Sequence, residues 1–317
     1  MDIVAWRRPG GTLPTGAERD RRAVGSVSSG SDPKGSGSDS DQRAVDTARN
    51  GNVVWEAVDL LERDAVRAAL ERLRPTSVYH CAGAAHVGRS WDSTESTFAI
   101  NVRGTHHVLE GLRDLRIEAR VLVPGSALVY AAADVPLRED HRLAPASPYG
   151  LSKLAQELLG TANTAGPDVM IARAFNHFGP RQDPWFVASG FARRIADIEA
   201  GRWAPEISVG NLEARRDLTD VRDTVRAYRL ILERGRPGRP YNVCTGRAIA
   251  VRELLDMMLA RATVPIMVKA DPARYRPNDV PLVVGDPSRI REELGWAAEI
   301  PVEHAVDDLL AYWRGRS

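Results

Sequence analysis

Alternation is the feature that most limits what this chain can become. Between Val53 and Ala174 short apolar runs recur, each followed by a stretch of helical period. Val53–Val58 reads as a strand and Asp59–Leu73 as a helix. Ser77–Ala82 is a second strand, with a loop over Gly83–Trp91 and a helix over Glu95–Leu112. Arg120–Val123 opens the next strand, which ends near Gly125-Ser126. A helix around Tyr149 and a strand over Val169–Ala174 follow. Strands separated by helices of this length predict an α/β, Rossmann-like, doubly wound parallel sheet. Ligands of such sheets sit beyond the carboxyl ends of the strands. Asp59, Ala82, Gly83, Ser126 and Asn176 all fall at such ends.

Past Asn176 the alternation loosens. Helices are expected over Phe186–Ala200, Asp220–Arg234, Val251–Leu259 and Val302–Arg314, with a late strand at Tyr241–Cys244. The expected organisation is a dinucleotide-binding domain over residues 1–175 and a smaller substrate lobe over 176–317. Residues 240–245 are expected to return to the sheet. Asp2–Trp6 reads as one more short strand. From Gly10 to about Gly51 the chain is rich in Gly, Ser, Asp, Thr and Arg and almost without large apolar residues, the composition of a disordered loop.

One short run carries chemistry. In Ser147-Pro148-Tyr149-Gly150-Leu151-Ser152-Lys153 the proline suits a helix start, and Leu151, Leu154, Ala155, Leu158 and Leu159 follow at helical spacing. Tyr149 and Lys153 are four apart and share a helix face. An ammonium beside a phenol is expected to favour the phenolate and lower its pKa, suiting Tyr149 to proton transfer. The pairing stands out because the chain holds three lysines among 43 basic residues, so about 0.07 such pairs would arise by chance.

Composition closes other routes. A net charge of +1 gives no field for nucleic acid. No apolar run is long enough to span a membrane and no signal peptide stands out. The two cysteines, Cys81 and Cys244, sit in strand-like runs and read as buried thiols of a reducing, cytoplasmic compartment. No metal-ligand spacing is present.

Ser126, Tyr149 and Lys153, with Asn101 in Ile100-Asn101-Val102-Arg103-Gly104-Thr105, resemble the extended short-chain dehydrogenase/reductases that act on nucleotide-sugars. Five further segments resemble the branch of GDP-mannose 4,6-dehydratases and GDP-4-keto-6-deoxy-mannose reductases. They begin at His86, Phe175, Val209, Arg216 and Arg276. The resemblance runs from about Val53 to the C-terminus. It implies that Tyr149 protonates a C4 ketone oxygen while a nicotinamide delivers hydride, that Ser126 hydrogen-bonds the same oxygen, and that Lys153 holds the nicotinamide ribose. It further implies cofactor contacts from Arg7, Arg8, Asp59, Leu60, Ala82, Gly83, Ala84 and Asn101, with Arg7-Arg8 suited to the 2′-phosphate of NADP over NAD. Asn176, Arg216, Arg276, Pro277, Asn278 and Asp279 would bind a GDP-linked 4-keto-6-deoxy sugar. His86 and His177 are read as loop hydrogen-bonders. A homodimer through Glu95–Leu112 and Tyr149–Ala162 is also implied.

Two departures matter. Dehydratases of this branch carry a Thr-Ser-Glu run whose Glu handles the C5 proton, and here the run is Ser126-Ala127-Leu128. An aliphatic Leu128 moves no proton, which favours a reductase over a dehydratase and leaves an epimerase open. The family also opens with a strand, a glycine-rich turn and a helix that receives the pyrophosphate. Gly10-Gly11 and Gly30–Gly37 do not follow that pattern, so the first strand and helix are expected to be missing. A misassigned start, a fragment, and a diverged chain that binds no dinucleotide are each consistent with this.

Overall fold

A computed structural model describes residues 3–7, 18–19, 47–50, 53–162, 166–275 and 280–316. The chain divides into two compact units, Met1–Arg74 and Pro75–Ser317.

The first unit holds a four-stranded sheet of β1 (Ile3–Arg7), β2 (Glu18–Arg19), β3 (Thr47–Asn50) and β4 (Val53–Ala57), ordered β1-β4-β3-β2. β1 and β4 run parallel, whereas β3 is antiparallel to both of its neighbours. The tract expected to be a loop up to Gly51 therefore ends in paired strands. The register runs from Asn50 opposite Val53 to Thr47 opposite Glu56. Helix α1 (Arg63–Leu73) buries Val66, Ala69 and Leu70, one stripe at spacings of three and four. It stops where Arg74 turns left-handed at φ 40°, just before Pro75.

In the second unit β5 (Ser77–Tyr79), β6 (Arg120–Pro124), β7 (Asp168–Ala174) and β11 (Pro240–Val243) form an all-parallel sheet, ordered β11-β7-β6-β5. The chain returns to this sheet at 240–243, where β11 pairs with β7. β7 is buried at every position after Asp168, the mark of a strand covered on both faces. The crossovers are α2 (Arg89–Asp92), α3 (Thr94–Phe98), α4 (Gly104–Asp114) and α5 (Pro148–Ala162). The single helix expected over Glu95–Leu112 is instead α3 and α4 joined by a π-helical turn at Ala99–Arg103.

The remaining chain adds β8 (Asn176–Phe178), β9 (Glu206–Val209), β10 (Arg215–Asp220), β12 (Ala248–Ala250), β13 (Met267–Ala270) and β14 (Leu282–Val283). Its helices are α6 (Val187–Glu199), α7 (Val221–Arg234), α8 (Val251–Leu259), α9 (Ser288–Leu294) and α10 (Val302–Arg314). Ile195, Leu254, Met258, Val306 and Leu309 lead a core drawn wholly from residues beyond Asn176. β10 organises this part, pairing with β8, β12 and β14. Its acids, and Asp223 beyond it in α7, are structural. Asp217 accepts from Thr245 N, Thr245 Oγ1 and Gly246 N at 2.7–2.9 Å. Asp220 caps α7 through Arg222 N at 2.7 Å, and Asp223 accepts from Glu299 N and Ile300 N at 2.8 Å. Among the described residues no helix is long and apolar enough to cross a membrane.

Candidate active site

A cavity of about 980 Å³ opens in the second unit at the carboxyl ends of β5, β6 and β7. Ser126 reaches it because β6 ends in a tight passage. Gly125 N donates to Ala172 O at 2.7 Å, and a Cβ on Gly125 would come within 3.3 Å of that carbonyl. The next residue, Ser126, is buried, and its Oγ accepts from Leu128 N at 3.2 Å.

Tyr149 arrives from the other side. Ser147 Oγ accepts from Gly150 N at 3.0 Å and Pro148 occupies the first turn, so sequence alone starts α5 here. A Cβ on Gly150 would lie 2.5 Å from Leu128 O, so only glycine lets the helix start press against the Ser126 turn. That approach brings the Tyr149 phenol near the Ser126 side chain, and both line the cavity. Burial raises the Tyr149 pKa, and the Ser126 hydroxyl offsets this only in part.

The expected lowering of that pKa by Lys153 is not what the structure holds. Lys153 is buried one turn along α5, and its ammonium donates to Gln156 Oε1 at 2.8 Å. Burial lowers its own pKa to about 8. Desolvation dominates at Tyr149, and the phenol is held protonated, as a proton donor must be.

Behind Lys153 runs a chain that sequence reasoning missed. Gln156 Nε2 donates to Thr105 Oγ1 at 2.6 Å, and His80 Nε2 lies 2.9 Å from the same oxygen. Thr105 Oγ1 in turn donates to Asn101 O at 2.5 Å. Burial lowers the His80 pKa to about 4, so the imidazole is neutral near neutral pH. A second buried network joins Arg173 to Glu157, to Tyr130 Oη at 2.8 Å and to Glu139 O at 2.9 Å. Tyr130 then donates to Asn242 Oδ1 at 2.6 Å.

Asn101 is a positioning residue. It sits fully buried in the π-helical turn, a distortion that recurs at functional sites. Its Oδ1 accepts from Ala84 N at 2.7 Å, and its Nδ2 donates to Ser152 Oγ at 2.8 Å and Ala84 O at 3.2 Å. Both ends of the amide are engaged within the protein. What it fixes is the loop after β5, whose Cys81, Gly83 and Ala84 line the cavity while Ala82 does not. Cys81 is exposed, against its expected burial, because β5 has already ended; Cys244 is buried as expected.

Asn176 and Arg216 also line the cavity, from the starts of β8 and β10, and Arg216 Nη1 donates to Arg215 O at 2.9 Å. His177 Nδ1 lies 3.2 Å from Phe175 O, and His86 Nδ1 accepts from Arg89 N at 3.0 Å, each serving its loop. Asp59 and Leu60 belong to the first unit, where Asp59 Oδ1 accepts from Leu61 N at 3.0 Å. Arg7 ends β1. Arg8, the Arg7 side chain, and Arg276, Pro277, Asn278 and Asp279 lie outside the described residues. Among the described residues no cluster of metal-binding side chains occurs.

A parallel sheet whose strand ends bring a serine, a tyrosine and a lysine into one cavity defines an extended short-chain dehydrogenase/reductase of the epimerase/dehydratase type. The sequence matches the family described as GDP-mannose 4,6 dehydratase over residues 27–309, and the chain belongs to that family. It is 35% identical over 263 residues to the GDP-6-deoxy-D-mannose reductase of Pseudomonas aeruginosa, covering 81% of this chain and 86% of that one. Identity to the GDP-mannose 4,6-dehydratase of Yersinia enterocolitica is 27%, over 80% of this chain and 77% of the relative. Among solved structures, RMD from Pseudomonas aeruginosa complexed with NADPH superposes with a TM-score of 0.78 at 31% identity, covering 85% of this chain and 92% of that one. UDP-glucose 4-epimerase from Thermus thermophilus in complex with NAD gives 0.76 at 25% identity, covering 85% and 87%. The family is one of nucleotide-sugar oxidoreductases and dehydratases.

Proposed function

We propose that this chain is an NAD(P)-dependent reductase that converts the C4 ketone of GDP-4-keto-6-deoxy-D-mannose to an alcohol, with NADPH favoured over NADH. The observation that carries the reading is that Ser126, Tyr149 and Lys153 line one cavity, with Leu128 beside them where a dehydratase needs a carboxylate. The reductase and dehydratase relatives support the GDP-sugar class, and the reductase is the more similar of the two quoted above.

The residues at the nicotinamide end fit a dinucleotide. Gly83 presents bare backbone, since a Cβ there would lie 3.0 Å from Asn101 Oδ1, and Lys153 lines the same cavity. A bound nicotinamide dinucleotide supplies the hydride. Tyr149 gives its phenolic proton to the ketone oxygen, and Ser126 hydrogen-bonds that oxygen as charge develops on it. Lys153 holds the ribose and stabilises the phenolate left on Tyr149. Asn176 and Arg216 bind the nucleotide-sugar, with Arg276 to Asp279 assigned to the same task by resemblance. Arg7, Arg8, Asp59 and Leu60 are likewise assigned to the adenosine end, and Asn101 acts on the cofactor only through the Ala84 loop. A homodimer through α5 is supported by Leu151 and Leu158, seven residues apart and both exposed.

Mass analysis of two reactions tests the proposal. Supplied with the keto-sugar nucleotide and NADPH, the chain is expected to add two hydrogens to the sugar. Supplied with GDP-mannose and NADP, it is expected to leave the sugar intact. Loss of one water from GDP-mannose would make it a dehydratase. A folded chain inert in both reactions would favour a non-catalytic homologue.

A further inference from the structure

The turn after β8 carries an arginine in a conformation that arginine seldom adopts. Gln182 N donates to Gly179 O at 3.2 Å, closing a turn of Gly179, Pro180, Arg181 and Gln182. Proline at the second position and φ +74° at the third are the marks of a type II turn, whose third position calls for glycine. Here that residue is Arg181. A left-handed backbone costs a branched-out side chain stability, and such strain persists where the surroundings fix it.

The surroundings do fix it. A Cβ on Gly179 would sit 2.6 Å from Val221 Cγ1, so the turn is packed hard against the start of α7. On its other side Gln182 Nε2 donates to His177 O at 2.8 Å, and Ser189 Oγ donates to Gln182 O at 2.6 Å. The turn cannot relax, and its tip places Arg181 on the lining of the active-site cavity.

The charge of that lining is lopsided. Its cations are Lys153, Arg181 and Arg216, and its one carboxylate among the described residues is Asp183. Asp183 is already engaged, accepting from Trp185 N at 2.9 Å. Arg181 is exposed, and no acid among the described residues pairs with it. A planar guanidinium held at the rim of a cationic cavity matches the paired oxygens of a phosphate.

We propose that Arg181 is a binding residue for the diphosphate of the substrate, presented by the strained turn to grip the anionic link between nucleoside and sugar. The inference rests on the GDP-sugar reading above and adds to Asn176 and Arg216 a residue that the family motif alone did not single out. Strain explains why an arginine stands there: the turn would be more comfortable with glycine, and the ligand would be held less well.

Calorimetric titration of the full chain with GDP, alongside Arg181→Gly and Arg181→Asn, tests this. Glycine removes the guanidinium and relieves the backbone, while asparagine removes it and still tolerates positive φ. The expected result is a GDP affinity about tenfold weaker in both variants, the loss of one charge-assisted contact. The salt dependence should flatten, and the Tm of the glycine variant should stand at or above that of the unaltered chain. Affinities within about twofold of the unaltered chain, in folded variants, would overturn the role of Arg181 and leave the GDP reading standing. Absence of GDP binding by the unaltered chain itself would overturn both.

Discussion

The two groups of residues lining the cavity are built differently. On the sheet side Ser126 and Lys153 are buried, and a hydrogen bond to a neighbouring group holds each of them. On the C-terminal side Asn176 and Arg181 are exposed and Arg216 half-buried, on strand starts and a turn. The difference follows from the tasks. A proton donor must meet its acceptor within a few tenths of an ångström, so its support is assembled during folding. A charged ligand arrives hydrated, and side chains that meet it gain by staying solvated until it comes.

That contrast can be broken from either side, and the largest effect should come from the reacting group itself. Tyr149→Phe deletes the proton donor while keeping the ring, and kcat for ketone reduction should fall by about 10²–10⁴ with the fold intact. A smaller drop would mean that Ser126 or water delivers the proton.

Next in size is the buried support. Glu157→Gln leaves Arg173 without its counter-charge in a site where both side chains are under a tenth exposed, and should cost about 3–5 kcal/mol in urea unfolding. Arg216→Ala, on the solvated side, should change stability by less than about 0.5 kcal/mol. Equal losses would erase the distinction between the two sides.

The smallest effect sharpens it. Lys153 with a pKa of about 8 loses its charge as pH rises through that value, so reduction should decline above about pH 8. Gln156→Leu removes the acceptor that favours the ammonium, and the decline should begin at lower pH, by up to about one unit. An unmoved pH profile would show that Gln156 does not set the state of Lys153.

How much of this could be read beforehand depended on sequence distance. Tyr149 and Lys153 were legible because a proline-led helix start and a spacing of four are local facts, and the parallel pairing of β5, β6 and β7 followed from alternation. The π-helical turn at Ala99–Arg103 was not, since one added residue in a helix barely disturbs the apolar pattern. Arg173 and Glu157 lie 16 residues apart on a strand and a helix, and nothing local announces their pairing. The rise in the Tyr149 pKa was hidden for the same reason, because its cause is burial by distant segments. The acids of the Arg216–Asp223 run were visible as a motif, yet most of its specificity goes to capping and bracing.

The most direct test follows absorbance at 340 nm while the full chain meets GDP-4-keto-6-deoxy-D-mannose and NADPH. One NADPH should be consumed for each ketone reduced, at a rate that Tyr149→Phe lowers by about 10²–10⁴. A folded chain that binds the sugar nucleotide yet consumes no NADPH or NADH between pH 6 and 8 would contradict it.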